Sequence, residues 1–312
     1  MSDLDFVPLP GLTLVARLPG AANLARYADP TGACRVVERR PREGTPTDPA
    51  LFQGNDLAGT VLHVDSTHAH EDHVYLVYDD DAACALPARL HDRRWGEEER
   101  IACLSAIAAG IRELHARGLV HGDLTPDAVL LRADGSVRLS AIAPTAAPSS
   151  AMSAKPGEAR TFGPTLNRIR ATGGALAYLA PEQFMANTTL PASDVFAWGC
   201  IAYEVATGRS PFGFVTDPAK LLEAITRGPQ HAVHEVSPRF TATFDAVVRA
   251  TLAVERAKRT FPSDFSGVLV PPPVDVALPR SPAATKQAPP WVLPAIVAAV
   301  ACAGLAYFTL GR

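Results

Sequence analysis

The chain has 312 residues, 47% of them hydrophobic and 20% charged, which supplies a packed core and excludes global disorder. A formal charge of −3 excludes the basic footprint of a nucleic-acid binder, so no nucleic-acid partner is expected. Cys34, Cys84, Cys103, Cys200 and Cys302 are scattered without a C-x-x-C pair or a His/Cys cluster, which argues against a disulfide framework or a zinc site.

The N-terminus has no basic start followed by an apolar run, so no secretory signal is expected. Short apolar runs between turn signals predict strands over residues 12–18, 33–37, 59–64 and 73–78. After residue 97 the period changes. Ile101, Leu104, Ile107, Ile111 and Leu114 recur at spacings of three and four, one face of an amphipathic helix that Gly118 stops. Val129 and Leu131, then Asp134-Gly135, then Val137 and Leu139 predict a hairpin. Residues 141–172, rich in Ala, Pro, Ser, Thr and Gly, read as a long loop. Helices are predicted over 193–207, 217–227, 239–253 and 262–268. A β-rich part followed by a helical part argues an α+β fold in two lobes, residues 1–84 and 85–270.

Residues 271–290 are proline-rich and read as an extended linker. Residues 291–310 carry no charge, and as a helix they would span roughly 30 Å, the thickness of a bilayer's hydrocarbon core. Trp291, Tyr307 and Phe308 lie near the ends of this segment, as interfacial aromatics do. The other readings are a buried core helix and an Ala-rich tail. Arg280 and Lys286 precede the segment and Arg312 is the one charged residue after it, which favours a cytoplasmic domain on a single-pass C-terminal anchor in the cell membrane. No sensor domain is expected beyond it.

The stretch from His121 to Leu131, H-G-D-L-T-P-D-A-V-L-L, resembles the catalytic loop H-R-D-L-K-P-x-N-I-L-L of the bacterial eukaryotic-like Ser/Thr protein kinases. Ala180-Pro181-Glu182 resembles the family's A-P-E motif. Residues 194–199, D-V-F-A-W-G, are similar to D-x-W-S-x-G, and residues 208–212, G-R-S-P-F, to G-x-x-P-F. Arg259 stands where the family has a late arginine. The resemblance covers roughly residues 12–270 and implies a two-lobed protein kinase-like fold, a small β-rich N-lobe and a larger helical C-lobe. It also implies structural roles: Glu182 paired with Arg259, Asp194 accepting backbone N–H bonds from the His121 loop, and His121 packed beneath the site.

The chemistry residues depart from the pattern. Phosphoryl transfer needs a phosphate-covering loop, a lysine on the phosphates, metal ligands and an aspartate near the substrate hydroxyl. Glu38 occupies the lysine's place, and residues 1–154 hold no lysine; Arg39 or Arg40 is the nearest substitute cation. The lysine's glutamate partner is also missing, since residues 44–70 contain no Glu. The family's loop glycines would fall at Arg17, Pro19 and Ala22, with Gly20 alone nearby. The metal-ligand positions are Ala128 and Ala141, so no metal site is expected. Asp127 is either a displaced ligand or a solvated carboxylate, and Asp134 reads as the hairpin turn residue. Asp123 stands at the position of the family's base, either as a catalytic remnant or as a structural aspartate. Gly122 replaces the arginine that grips an activation-loop phosphate. Thr145, Ser149, Ser150, Ser153 and Thr161 remain modifiable, and Arg160, Arg168 and Arg170 form either a contact for an acidic partner or a solvated face.

The resemblance therefore implies a membrane-anchored pseudokinase, a signalling scaffold or allosteric regulator that binds a protein partner such as another kinase or a membrane signalling protein. No cofactor is assigned, and ATP without a dedicated Mg²⁺ site is left open. One alternative is an unorthodox active Ser/Thr kinase using Asp123. Another is a small-molecule phosphotransferase, because H-G-D-L also resembles the loop of aminoglycoside and choline kinase-like enzymes.

Overall fold

A computed structural model of the chain describes residues 6–42, 45, 47–52, 61–140, 160–161, 175–186, 188–215 and 217–271. The expected membrane segment, Ala141, most of the 141–172 loop and all but the first residue of the linker lie outside the described residues. Among the described residues, no helix is long and apolar enough to cross a membrane. Residues Met1–Val270 form one compact unit.

Five antiparallel strands open the fold: β1 (Thr13–Arg17), β2 (Leu24–Ala28), β3 (Cys34–Pro41), β4 (Val64–His70) and β5 (His73–Tyr78). Their spatial order is β1-β2-β3-β5-β4. The two-residue period of a strand sorts their side chains between two faces. Val36, Val74, Leu76 and Tyr78 point inward with Leu18, Leu24 and Leu130. Tyr27, Val37, Tyr75 and Val77 point outward, where Phe6 and Leu9 of the N-terminal segment cover them. The Tyr27 hydroxyl fastens this cover by donating to the Val7 carbonyl, 2.9 Å away.

The chain then leaves β5 through a connector into β6 (Cys84–Ala85) and the short helix α1 (Pro87–Leu90). Helix α2 (Glu97–Ala116) buries Leu104, Ile107, Ile111 and Leu114, the periodic face read from the sequence. Strands β7 (Val129–Leu131) and β8 (Val137–Leu139) form the predicted hairpin and pair with β6 as a second sheet. A small two-stranded pairing joins β9 (Arg160–Thr161) to β10 (Thr188–Thr189). Helices α3 (Pro181–Ala186), α4 (Pro191–Thr207), α5 (Pro218–Arg227), α6 (Val233–Val236) and α7 (Ala242–Thr251) complete the helical part. Thirteen of the 17 residues of α4 are buried, which makes it the central helix. The fully buried Trp198 indole donates to the Leu104 carbonyl at 3.0 Å and ties α4 to α2.

Three expectations need correction. The strand predicted at 59–64 begins at Val64, because Leu62 donates instead to the Leu139 carbonyl of β8 and Val61 bridges to that same strand. The helix predicted at 262–268 does not form: Thr241 bonds to the Val268 carbonyl and Phe240 bridges Leu269, so the segment is extended against the start of α7. The strand β2 was not predicted at all; its short L-A-R-Y-A run has weak alternation, and its burial comes from neighbours on both sides.

Candidate functional site

The candidate site lies between the inner face of the five-stranded sheet and the loop that carries Asp123. The strand period decides between the two arginines. Val36, Glu38 and Arg40 share the inner face, while Arg39 lies outward with its guanidinium 5.7 Å from the Phe6 ring centre. Glu38 and Arg40 are 6% and 8% exposed. Arg40 donates from Nε to Glu38 Oε1 at 2.6 Å and from Nη2 to Oε2 at 3.0 Å, a bidentate pair. The Tyr78 hydroxyl donates to Glu38 Oε2 at 2.5 Å. Burial alone would make Arg40 easier to deprotonate, but Glu38, Tyr78 and Asp123 reverse this and raise its pKa. The cation of this site is thus a guanidinium already engaged by its own strand.

The loop opposite is fixed from below. Asp194, 1% exposed in the first turn of α4, accepts the His121 N–H at 2.9 Å on one oxygen and the Gly122 N–H at 2.8 Å on the other. His115 Nε2 lies 2.8 Å from the first of these oxygens. Gln183 adds a clasp, donating to the Gly122 carbonyl at 3.1 Å and accepting the Ala180 N–H at 3.0 Å. His121 is 5% exposed, and neither ring nitrogen has a hydrogen-bond partner among the described residues. Burial therefore holds its pKa below the ordinary value, against the pull of Asp194 and Asp123.

Gly122 sits at φ +75°, and a Cβ there would meet Thr189 Cγ2 at 3.1 Å. A side chain at this position is strained and crowded. Ala128 is 8% exposed and closes the one-turn helix Pro126–Ala128. Asp127 in that turn is exposed; the chain around it, then Glu204 and Glu38, push its pKa up to about 6. Its exposure leaves that shift little weight in the stability of the fold. Asp134 is the turn residue of the β7–β8 hairpin and accepts the Ser136 N–H at 2.8 Å. Among the described residues, no group of three or more His, Cys, Asp or Glu could hold a metal ion.

Glu182, in the first turn of α3, and Arg259, after α7, meet in the helical part. Arg259 donates to both Glu182 oxygens, at 2.7 and 2.9 Å, and its remaining donors reach the carbonyls of Ala253, Ala192 and Val254. Its guanidinium lies 5.0 Å from the Phe196 ring centre. Ser193 Oγ also donates to Glu182. Burial would raise the Glu182 pKa, but the hydrogen bonds from Arg259 and Ser193 outweigh it and hold the carboxyl below its ordinary range.

Sequence reasoning had not found Tyr78, Gln183 or His115. Only the choice of Arg40 over Arg39 was accessible, by counting two residues along β3 from Glu38. Gln183 reaches the loop across 61 residues of chain, and His115 reaches Asp194 beneath it across 79, separations no local pattern reports.

The protein kinase domain family model matches residues 57–265, and the chain belongs to that family. The match begins after β3, so the strands that would carry the phosphate loop and the lysine lie outside it. Among curated proteins, the chain is similar to the serine/threonine-protein kinases drp72 protein of Corynebacterium efficiens, 26% identical over 162 residues, or 52% of this chain and 27% of that protein. It is also similar to the serine/threonine-protein kinase PknL of Mycobacterium tuberculosis, 33% identical over 115 residues, or 36% of this chain and 25% of the relative. The probable serine/threonine-protein kinase PkwA of Thermomonospora curvata is 37% identical over 113 residues, covering 35% and 13% of the two chains. The chain thus spans about a quarter or less of the length of these relatives.

Proposed function

We propose that this member of the protein kinase domain family is a catalytically impaired pseudokinase that works by binding a protein partner, as a signalling scaffold or allosteric regulator. One observation carries this reading: the face where a kinase places its phosphate lysine holds Glu38 instead, in a buried bidentate pair with Arg40, a guanidinium committed to a neighbour in its own strand. Two Arg40 donors are engaged by Glu38, and withdrawing them towards a phosphoryl group would leave Glu38 a buried carboxylate without its cation. Asp123 has no positioned phosphate to act on, and its remaining role is structural and electrostatic, towards Arg40.

The C-terminal segment, residues 291–310, anchors the protein in the cell membrane with its kinase-like part in the cytoplasm. The partner is another kinase or a membrane signalling protein, met laterally or from the cytoplasm.

The test is transfer of labelled phosphate from ATP to the protein itself and to a generic acceptor, with Mg²⁺ or Mn²⁺, for the wild type and Asp123→Ala. The expected result is no transfer above background in either. Transfer by the wild type that disappears in Asp123→Ala would overturn the proposal and establish an unorthodox Ser/Thr kinase.

A further inference from the structure

The turn between β1 and β2, residues 18–23, is the part of the sheet that should cover a phosphate. A covering turn needs free backbone N–H groups and a gap beneath it. Here the Leu18 N–H donates to the Leu24 carbonyl at 2.9 Å, and the Ala21 N–H donates back to Leu18 at 3.3 Å. Pro19 has no N–H to offer. The turn also has no gap beneath it. The Ala85 N–H, on the edge of β6 that faces away from β7, donates to the Pro19 carbonyl at 2.8 Å. Gly20 lies against the backbone of residues 85–88: a Cβ there would stand 2.6 Å from the Ala88 nitrogen and 2.8 Å from the Ala85 oxygen, at φ +89°.

A second fastening lies beside the first. Arg26 of β2 donates from Nε to the Ala82 carbonyl at 3.0 Å and from Nη2 to the Ala83 carbonyl at 2.5 Å. Between the fastenings, Leu18, Leu24, Val36, Tyr78, Ala82, Ala85 and Leu130 form one apolar cluster, none of them more than 1% exposed. Deeper in, the Glu38–Arg40 pair takes the polar end of the same face. The connector's hydrogen-bonding groups and the apolar space next to them are both used by the chain's own β1–β2 region.

We propose that the β1–β2 turn is an internal plug: it docks on residues 82–88, seals the cleft between sheet and helical part, and locks the two lobes together without a nucleotide. The inference deepens the pseudokinase reading and rests on it, since it makes the display of the kinase-like surface independent of ATP. Gly20 and Arg26 are the positioning residues of the plug.

Hydrogen exchange on the full-length chain, read by mass spectrometry with residue-level fragmentation, tests it. In the wild type, the Ala85 amide is expected to exchange as slowly as the Ala83 amide, which is paired to the Leu131 carbonyl inside the second sheet. Millimolar ATP or ADP, with or without Mg²⁺, is expected to change neither. Gly20→Val is expected to speed exchange at Ala85 by about tenfold or more while leaving Ala83 and helix α4 unchanged. Arg26→Gln, a milder change, is expected to act in the same place and direction. If Gly20→Val unfolds the chain, every amide accelerates together, and the wild type with Arg26→Gln decides. Fast exchange at Ala85 in the wild type, or new protection of residues 18–26 and 82–88 by ATP, overturns the plug. ATP binding without phosphate transfer removes the plug alone, whereas transfer abolished by Asp123→Ala removes the pseudokinase reading with it.

Discussion

Glu38→Ala removes the acceptor of two Arg40 hydrogen bonds and of the Tyr78 hydroxyl in one step. It leaves a guanidinium only 8% exposed and a fully buried phenol without that partner. Breaking one side of a buried ion pair costs about 3–5 kcal/mol, mostly the penalty of the stranded charge. The Asp123 carboxylate also acts on Arg40, so the lower end, about 3 kcal/mol, is expected. Arg40→Met should cost a similar amount, because Glu38 is then a buried carboxylate with one neutral donor. The double replacement Glu38→Ala with Arg40→Met strands neither charge of the pair; it forfeits the Tyr78 hydrogen bond, about 1 kcal/mol, and the attraction between Arg40 and Asp123. The double variant should therefore be more stable than either single one, with a coupling of about 3 kcal/mol or more. Urea unfolding followed by circular dichroism measures each midpoint at unchanged slope. Single variants that lose less than about 1 kcal/mol, or a double variant as damaged as the sum, would refute the account of this pair as a closed unit.

Arg259→Met strands Glu182 and three carbonyls at once and is expected to cost about 3–5 kcal/mol, read as a melting temperature lower by roughly 2 °C per kcal/mol. Gly199→Ala places a methyl group on Thr251 Oγ1 and Leu252 where α4 crosses α7; the expected cost is about 1–3 kcal/mol in the same melt, and a neutral result would mean that the helices separate easily. Burial holds His121 below its ordinary 6.5, so under acid the unfolded chain takes up a proton there that the folded chain refuses. Stability should therefore fall as pH drops below 6.5, by up to about 1.4 kcal/mol per pH unit, and His121→Phe should lack that share of the slope in a pH series of urea midpoints.

Much of the helical part was legible because its signals are local, the segment 262–268 excepted. The α2 face repeats every three or four residues, Asp134-Gly135 marks its own hairpin, and both appear where the pattern puts them. The sheet was only half legible. In β4 the run D-S-T-H-A-H is polar, since the strand lies at the sheet's edge and has one partner, so it shows nothing like the continuous apolar run of β5, which is buried on both faces. The site divides the same way. Glu38, Asp123 and Ala128 could be placed by counting from motifs, but which side chain Glu38 holds depends on strand register and on burial. Likewise, the docking of Gly20 on residues 85–88 depends on backbones 65 or more residues apart, and nothing in the local sequence around either announces it.

Three departures from the kinase pattern are not isolated losses, since each of the three comes with a neighbour that fits it. Glu38 comes with Arg40 and Tyr78, the altered β1–β2 turn with the Ala85 amide, and Gly122 with Thr189 packed where a side chain would begin. The parts kept in the loop's foundation, Asp194 with His115 and two amides, stabilise the fold whether or not a nucleotide is present. Reverting a single position should accordingly restore nothing. Glu38→Lys places a second cation beside Arg40 in a site where both are buried, and it removes the carboxylate that accepts from the Tyr78 hydroxyl. Losing the pair's attraction and adding repulsion should exceed the roughly 3 kcal/mol expected for Glu38→Ala. Thermal melting and the labelled-phosphate assay on the same preparation check both halves of this expectation. A Glu38→Lys protein that melts with the wild type and transfers phosphate would show that the cleft had kept room for ATP, and that the ion pair was its lock.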